Sequence, residues 1–465
     1  MLGLGLAGTL APGVAPVGAQ VLQQWSHQAA VGDASAAIAV GDTLMFVADN
    51  EDEILRLFAR HPGAACAAPV YTFDARPSLA PAPSNPEADL EAAVLTAGGG
   101  GTRIYWLASH SNSRTGNLRP NRYRLFATQL NGNGTGSPPY TLSYLGRYDH
   151  LRTDLIAWDA NNLHGLGAHY FGLQASAAAG VLPSVVEGFN IEGMTIAPDG
   201  VTALIAFRAP LVNPFGPTTS PAQRTHALIV PLINLAALVT GSPTPGPGAA
   251  QFGTPFVLDL GGRGVRSIDV SGPGQYLITA GPAGDASNPP AAPLDFRLFT
   301  WSGHAGPQPM EHTTSFAHGW DPEGAIVPPG VINNLTVVQF VSDDNTPCFR
   351  SFTAAVGAPA ATTGVSPAPP AHPGIRFSRP PAPNPARESV SFAIALPDSR
   401  WVDVSVDDVE GRRVATLWAG MLAAGEHPFA WNGTLRSGVR ARAGMYTATF
   451  RAGEVTVARR FALLR

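Results

Sequence analysis

The chain has 465 residues and a formal net charge of −4; only 13% of its residues are charged, while glycine (51) and proline (44) are abundant. All 29 basic residues are arginine, which excludes a Walker phosphate loop and Schiff-base chemistry, since both need a lysine. The charge balance leaves no electrostatic footprint for nucleic acid or an anionic membrane surface, and the composition suits many short strands and turns rather than long helices.

Residues 1–20, "MLGLGLAGTLAPGVAPVGAQ", are apolar, uncharged and end in small residues around Val17 and Ala19. They read as a signal-peptide-like segment, so a secreted, extracellular or cell-surface protein is expected; a disordered terminus is the alternative. No later run spans a bilayer, because "LIVPLINLAALV" is short and interrupted by Pro231 and Asn234. Two cysteines, Cys66 and Cys348, would in an exported protein pair and tie distant parts of one domain together, or remain as two buried thiols.

Residues 21–355 carry a loose repeat with five clear units. They begin at Ser35 ("SAAIAVGDTLMFVADNEDEILRLF"), Asp89 ("DLEAAVLTAGGGGTRIYWLASHSNS"), Asn190 ("NIEGMTIAPDGVTALIAFRAP"), Gly264 ("GVRSIDVSGPGQYLITAGP") and Asp321 ("DPEGAIVPPGVINNLTVVQFVSDDN"). Each reads as a strand, a Gly- or Asp-containing turn, a strongly apolar second strand, a variable loop and a third strand; "PVYTF", "TLSYLG" and "FVLDL" supply candidate fourth strands. Four-stranded units without helical periodicity between them predict a β-propeller of five or six blades, with a β-sandwich of similar length as the alternative. Residues 155–173 fit either a partial sixth blade or a helical insertion, and the early strand "VLQQWSH" is available to complete the last blade.

A Pro-, Ala- and Thr-rich stretch, residues 356–374, reads as an extended linker, leaving residues 375–465 as a separate C-terminal domain. There Asp408 to Gly411 predicts a turn between two strands, Gly425 a chain reversal, Trp431 a core residue and "MYTATFRAG" an alternating final strand, together a small β-sandwich. The whole chain is therefore expected to be all-β: a propeller followed by a small Ig-like sandwich.

Two resemblances sharpen this reading. The series "EADLEAAV…RIYWLASHSNS…RPNRYRLFA", "NIEGMTIAPDG…IAFRAP", "GGRGVRSIDV…YLITAGP" and "PEGAIV…VSDDN" resembles a family of bacterial domains of unknown function akin to esterase-like phytases. What that resemblance implies is a propeller over about residues 30–355. The segments "APNPARESVSFAIALP", "VDVSVDDVEGRRVATLWAG", "LAAGEHPFAWNG" and "RARAGMYTATFRAG" resemble the FlgD-type immunoglobulin-like domain and the sorting domains of type IX secretion. This implies export or attachment, with secretion or cell-surface machinery as the partner, rather than chemistry.

Candidate site residues follow from the repeat. Glu91, Glu192 and Glu323 occupy matching positions at the start of three innermost strands, so a closed ring would gather them at one mouth of the channel. Asp89, Asn190 and Asp321 stand two residues earlier, on the same side by the strand period, and Asp269 is a looser fourth equivalent. Carboxylates so gathered must be protonated, paired or neutralised by a cation; an oxygen-rich set of Glu91, Glu192 and Glu323 would suit Ca²⁺ or Mg²⁺. The structural alternative pairs them with arginines of neighbouring blades, Arg208 and Arg266 being the candidates. The polar stretch "ASHSNSRTGNLRPNRYR" adds His110 as a possible base or ligand, with Ser109, Ser111, Arg114, Arg119 and Arg122 on the same expected loop.

No G-x-S-x-G elbow or H-E-x-x-H helix occurs; "GGGG" at 98–101 reads as a hairpin tip and "SDDN" at 342–345 as a turn. Two functions are therefore carried forward. One is a secreted, monomeric binding module whose mouth takes a small-molecule or glycan ligand. The other is a metal-dependent hydrolase, phosphoesterase-like, with an acidic mouth and arginines for the substrate anion.

Overall fold

The computed structural model describes residues 21–28, 33–84, 86–98, 100–214, 216–239, 244–284, 293–304, 308–316, 319–342, 347–360, 375–387, 389–396, 400–422, 425–435, 439–453 and 455–464. The leader-like residues 1–20, most of the linker (361–374) and positions 343–345 of the "SDDN" turn lie outside them. The chain divides into two compact units, residues 1–360 and 361–465.

The first strand, β1 (Val21–Gln28), precedes the first blade, β2 (Ala34–Val40), β3 (Leu44–Asp49), β4 (Ile54–Ala59) and β5 (Tyr71–Asp74). The second blade is β6 (Leu90–Gly98), β7 (Gly101–Ala108), β8 (Leu125–Gly132) and β9 (Tyr140–Tyr148). The third is β10 (Asn190–Ile196), β11 (Ala203–Ala209), β12 (Ala227–Leu232) and β13 (Phe256–Leu258). The fourth is β14 (Gly264–Gly272), β15 (Gln275–Gly281), β16 (Phe296–Trp301) and β17 (Met310–Phe316). The fifth contributes β18 (Pro322–Ile326), β19 (Val337–Ser342) and β20 (Cys348–Ala355), and β1 returns to pair antiparallel with β20 as its outermost strand.

The innermost strands adjoin one another in the cyclic order β2, β6, β10, β14, β18 and back to β2. Among the described residues this is a propeller of five four-stranded blades, closed by β1. Closure removes the exposed sheet edges that an open array would present. A clasp from the first blade reinforces it: Gln28 donates its N–H to the Ala67 carbonyl at 2.9 Å, and Cys66 is disulfide-bonded to Cys348 of the last blade, Cα–Cα 5.4 Å. His27, fully buried on β1, lies at 2.8 Å from the Ser351 hydroxyl and packs against Phe58 and Phe349.

Residues 155–173 form no sixth blade. They belong to a helical insertion, Leu151–Ala160 and then Leu173–Ser176, whose Leu155, Trp158 and Phe171 bury themselves in the core shared with the second and third blades. Asp159 fixes the return of the chain by accepting the N–H groups of Phe171 and Leu173 at 2.9 Å each. The C-terminal unit is a sandwich. Strands β21 (Arg376–Ala382), β22 (Val390–Leu396) and β25 (Gly425–Trp431) face a four-stranded sheet ordered β24 (Arg413–Leu422), β23 (Arg400–Asp408), β26 (Gly444–Ala452), β27 (Val455–Leu463). Val404, Trp431, Phe450 and Phe461 fill its core, and the Trp431 indole N–H donates to the Thr434 carbonyl at 2.8 Å. The Asp408 carboxylate accepts the backbone N–H groups of Glu410 and Arg412 at 3.0 Å, forming the β23–β24 turn.

Candidate functional site: the charged mouth of the channel

The register of every innermost strand slips, and in all five blades one slip falls at the same place. Ala34 pairs with Asp49 but Ala36 with Ala48; Leu90 with Ala108 but Ala92 with Leu107; Ile191 with Phe207 but Gly193 with Ala206. Val265 pairs with Ala280 but Ser267 with Thr279, and Pro322 with Ser342 but Gly324 with Val341. The extra residues are Ser35, Glu91, Glu192, Arg266 and Glu323. A β-bulge re-aims its side chain and bends the strand, and all five bulged residues line one cavity of about 440 Å³ at this end of the channel.

After each bulge comes a small residue, Ala36, Ala92, Gly193, Ser267 or Gly324, because adjacent innermost strands approach closely there. A Cβ on Gly193 would stand 2.9 Å from Ala206 Cβ and 3.1 Å from Val265 Cγ1; one on Gly324 would stand 2.9 Å from the Ala37 nitrogen. The recurring acidic-then-small pair is therefore a bulge aimed at the mouth followed, at Gly193 and Gly324, by a close contact with the next blade. Below the mouth the channel pinches to a void of about 10 Å³, on the scale of one water, bordered by Glu91, Glu192, Asp269 and Glu323. It widens again to about 140 Å³ among mainly apolar residues such as Val94, Met194 and Ile326.

The ring order sets the electrostatics. Arg266 stands between Glu192 and Glu323 and engages both: its Nε lies 2.9 Å from Glu192 Oε2 and donates to Glu323 Oε2 at 2.9 Å, and its Nη2 donates to Glu323 Oε1. Arg208 donates to Glu192 Oε1 at 3.0 Å, and Asn190 Nδ2 donates to the same oxygen at 2.8 Å. Burial opposes the Arg266 charge, and the Glu192 and Glu323 carboxylates outweigh it, so its pKa is raised and the guanidinium stays charged. Glu91 has no such partner: no guanidinium lies within ion-pair distance of it among the described residues. Burial raises its carboxyl well above the ordinary range, and the Asp89, Glu192 and Glu323 charges push it further, against the weaker pull of Arg266.

A second layer surrounds the ring. Arg122 pairs with Glu87 and, at 2.7 Å, with Asp89 Oδ2, and donates to the Ser111 hydroxyl at 2.8 Å. The hydroxyls of Ser109 and Ser111 also donate to Asp89. Burial, assisted by Asp89 and opposed by Arg122, pushes Glu87 up to about 7. Glu51 and Arg114 complete the charged rim 3.9 Å apart, with the Arg114 side chain 84% exposed.

Not every expected site residue reaches the mouth. Asp269 lies three residues beyond the bulge, and Arg266 holds the position equivalent to the glutamates. Burial pushes Asp269 up to about 7, against a 3.0 Å hydrogen bond from the Ser267 hydroxyl. Asp321 is not among the mouth-lining residues; its Oδ1 accepts the Gly319 N–H at 3.4 Å. His110 lies outside the mouth lining and is fully buried, at φ 57°, with Nδ1 2.7 Å from the Ala108 carbonyl and its ring stacked on Tyr123; burial pushes its pKa down to about 3. Its carbonyl accepts from Arg152 at 2.7 Å. Among the described residues no group of three His, Cys, Asp or Glu side chains is arranged to hold a metal, and Arg266 stands between two of the three proposed ligands. Sequence reasoning missed Ser35, Asn50, Glu51 and Glu87, of which Glu87 alone leaves a signal, alternating with Asp89 and Glu91 in "PEADLEA".

Residues 386–454 match the family described as the FlgD Ig-like domain. No curated protein matches the chain in sequence. Among solved structures, the chain is similar to PorZ, a bacterial surface component of the type-IX secretion system of Porphyromonas gingivalis, at 13% identity and TM-score 0.25, over 93% of this chain and 45% of that one. It is also similar to a glycoside hydrolase family 43 arabinoxylan arabinofuranohydrolase from Bacillus subtilis, at 12% identity and TM-score 0.31, over 94% and 96% of the two chains. A third likeness, to dimeric latent PorU from Porphyromonas gingivalis, has 10% identity and TM-score 0.17 over 95% and 34%. The chain thus spans less than half the length of PorZ and about a third of PorU, and at these scores none of the three bears on what it binds.

Proposed function

We propose that the chain is an exported or cell-surface binding protein whose propeller mouth takes a small-molecule or glycan ligand, with the C-terminal sandwich serving in sorting or attachment. The observation that carries this is the mouth itself: about 440 Å³ of polar space framed by the five bulged side chains, of which Glu192, Arg266 and Glu323 are held by ion pairs within and between blades. Preorganised polar groups in a concavity of this size are what small-ligand recognition requires. The pairing of Glu192 and Glu323 with Arg266 supports binding over metal-dependent hydrolysis, because it commits two of the three ring carboxylates to a guanidinium. Export is supported by the Cys66–Cys348 disulfide, a bond that persists in oxidising compartments, and by the FlgD-type match of residues 386–454.

The test is a thermal-shift screen of the full chain against glycans and polar small molecules, repeated on Ser184→Trp, which places a bulky ring on the mouth wall. A ligand that stabilises the wild type and fails on the plugged variant is the expected result. Ligands that bind both equally would place recognition elsewhere and overturn the proposal.

A further inference from the structure

We infer that the group recognised in the mouth is an organic cation, a protonated amine or guanidinium carried by the ligand, seated against Glu91. This rests on the binding reading above and specifies its ligand chemistry. Six carboxylates line the cavity (Glu51, Glu87, Asp89, Glu91, Glu192, Glu323) against four guanidiniums (Arg114, Arg122, Arg208, Arg266). Three of the four arginines are committed, Arg122 to Glu87 and Asp89, Arg208 to Glu192, and Arg266 to Glu192 and Glu323, while Arg114 stands exposed on the rim 3.9 Å from Glu51. What remains inside the ring is the Glu91 carboxylate, flanked in ring order by Ser35 and Glu192.

A second observation points the same way. Asn190 is 6% exposed and lines the mouth; its Nδ2 is committed to Glu192 Oε1, which fixes the amide orientation and leaves Oδ1 without a hydrogen-bond partner. The Oδ1 of Asn50, also in the lining, is likewise without one. Among the unmet groups of this mouth acceptors predominate: the Glu91 carboxyl, which a bound cation would hold ionised, and two amide oxygens, against one donor, the Arg122 Nε. An occupant matching them brings donors and positive charge. A metal ion needs several oxygens converging on one point, an arrangement not found among the described residues. An ammonium or guanidinium asks only for separate acceptors within hydrogen-bond reach, and such charge-assisted bonds are the stronger kind. The cavity accommodates a sugar- or side-chain-sized group.

The test is calorimetric titration of the full chain at pH 7 with glucosamine, N-acetylglucosamine, putrescine and calcium chloride, on the wild type, Glu91→Gln and Arg114→Ala. At least one charged amine should bind, the neutral acetylated sugar at least tenfold more weakly than glucosamine, and Glu91→Gln should cost the amine at least tenfold. Arg114→Ala, which removes a positive charge from the rim, should tighten it. Glu91→Gln must melt no lower than the wild type, so that lost binding is not lost folding. Equal binding of both sugars overturns the cation inference and leaves the binding reading standing. Calcium binding that depends on Glu91 without amine binding also overturns it, in favour of a metal. If no amine binds, the cation inference fails, while the plugged variant tests the binding reading separately.

Discussion

Glu192 and Glu91 occupy equivalent bulges on adjacent blades, yet the same substitution should have opposite consequences at the two. Glu192 is 3% exposed and holds Arg208 at 3.0 Å, Arg266 at 2.9 Å and Asn190 at 2.8 Å. Glu192→Gln keeps the size and some hydrogen bonding but leaves two guanidiniums short of a counter-charge, and breaking a buried pair from one side costs about 3–5 kcal/mol. From β1 to Ala360 the propeller has about 340 residues; at about 2.1 cal/mol/K each its unfolding entropy is about 0.7 kcal/mol/K, so that cost lowers Tm by about 4–7 °C. Glu91→Gln removes a carboxyl that has no guanidinium partner and whose ionisation is opposed by burial and by the Asp89, Glu192 and Glu323 charges, so no ion pair is lost and Tm should hold or rise. Differential scanning calorimetry at pH 7 on the full chain, following the propeller transition, reads both variants. Equal Tm losses for the two would refute the division of the ring into paired and unpaired carboxylates, as would a Glu192→Gln variant that melts with the wild type.

Burial moves His27 from 6.5 down to about 4, so its contribution is present in full above pH 6.5 and is lost as pH falls towards 4; at about 1.4 kcal/mol per pH unit the loss is about 3 kcal/mol. The wild type should therefore exceed His27→Leu by a margin that shrinks over that window in urea titrations, and a constant margin would refute it. Replacing both Cys66 and Cys348 by serine frees a loop of 282 residues and should cost up to about 5 kcal/mol, matched by wild type under reductant; no change in denaturant midpoint would remove the bond from the closure. Gly324→Ala drives a Cβ into the Ala37 backbone and should destabilise by about 1–3 kcal/mol, checked by the same melts. A chain ended after Ala360 should keep the full propeller transition and the mouth's ligand affinity; aggregation of that fragment would show a dependence on the C-terminal unit.

How far the fold was legible depends on where each determinant sits along the chain. The blades were legible because their signals are local: alternating apolar strands, Gly and Asp turns, and an early strand whose pairing with β20 only ring closure demands. The insertion was ambiguous for an equally local reason: "LRTDLIAWDA" mixes polar and apolar residues without a clear helical stripe, and its burial comes from contacts with two blades. The site was half legible. A charge-matching eye aligns Asp269 with the glutamates, whereas the bulge aligns Arg266, and the small residue that follows each bulge (Ser267 beside Gly193 and Gly324) is the signal that would have found it. The burial of His110 away from the mouth lining was not legible, because its carbonyl is held by Arg152, forty-two positions away.

The charge state of the mouth lies beyond any local window. Every ion pair that Arg266 makes is to a neighbouring blade, so whether a repeated glutamate is neutralised or left exposed to a ligand is decided by its place in the ring. Three blades carry the same acidic signal, and only one of them, at Glu91, lies next to a serine on one side and an already paired glutamate on the other. One arginine at the fourth bulge thus breaks the near-symmetry of five similar strands, satisfying the carboxylates on both its sides and leaving the negative potential on the far side of the mouth. Moving that charge is then the most direct way to redirect the site. Ser35→Arg with Arg266→Ser would exchange which carboxylates are paired: Glu91 and Glu323 adjoin position 35, while Glu192 would keep Arg208.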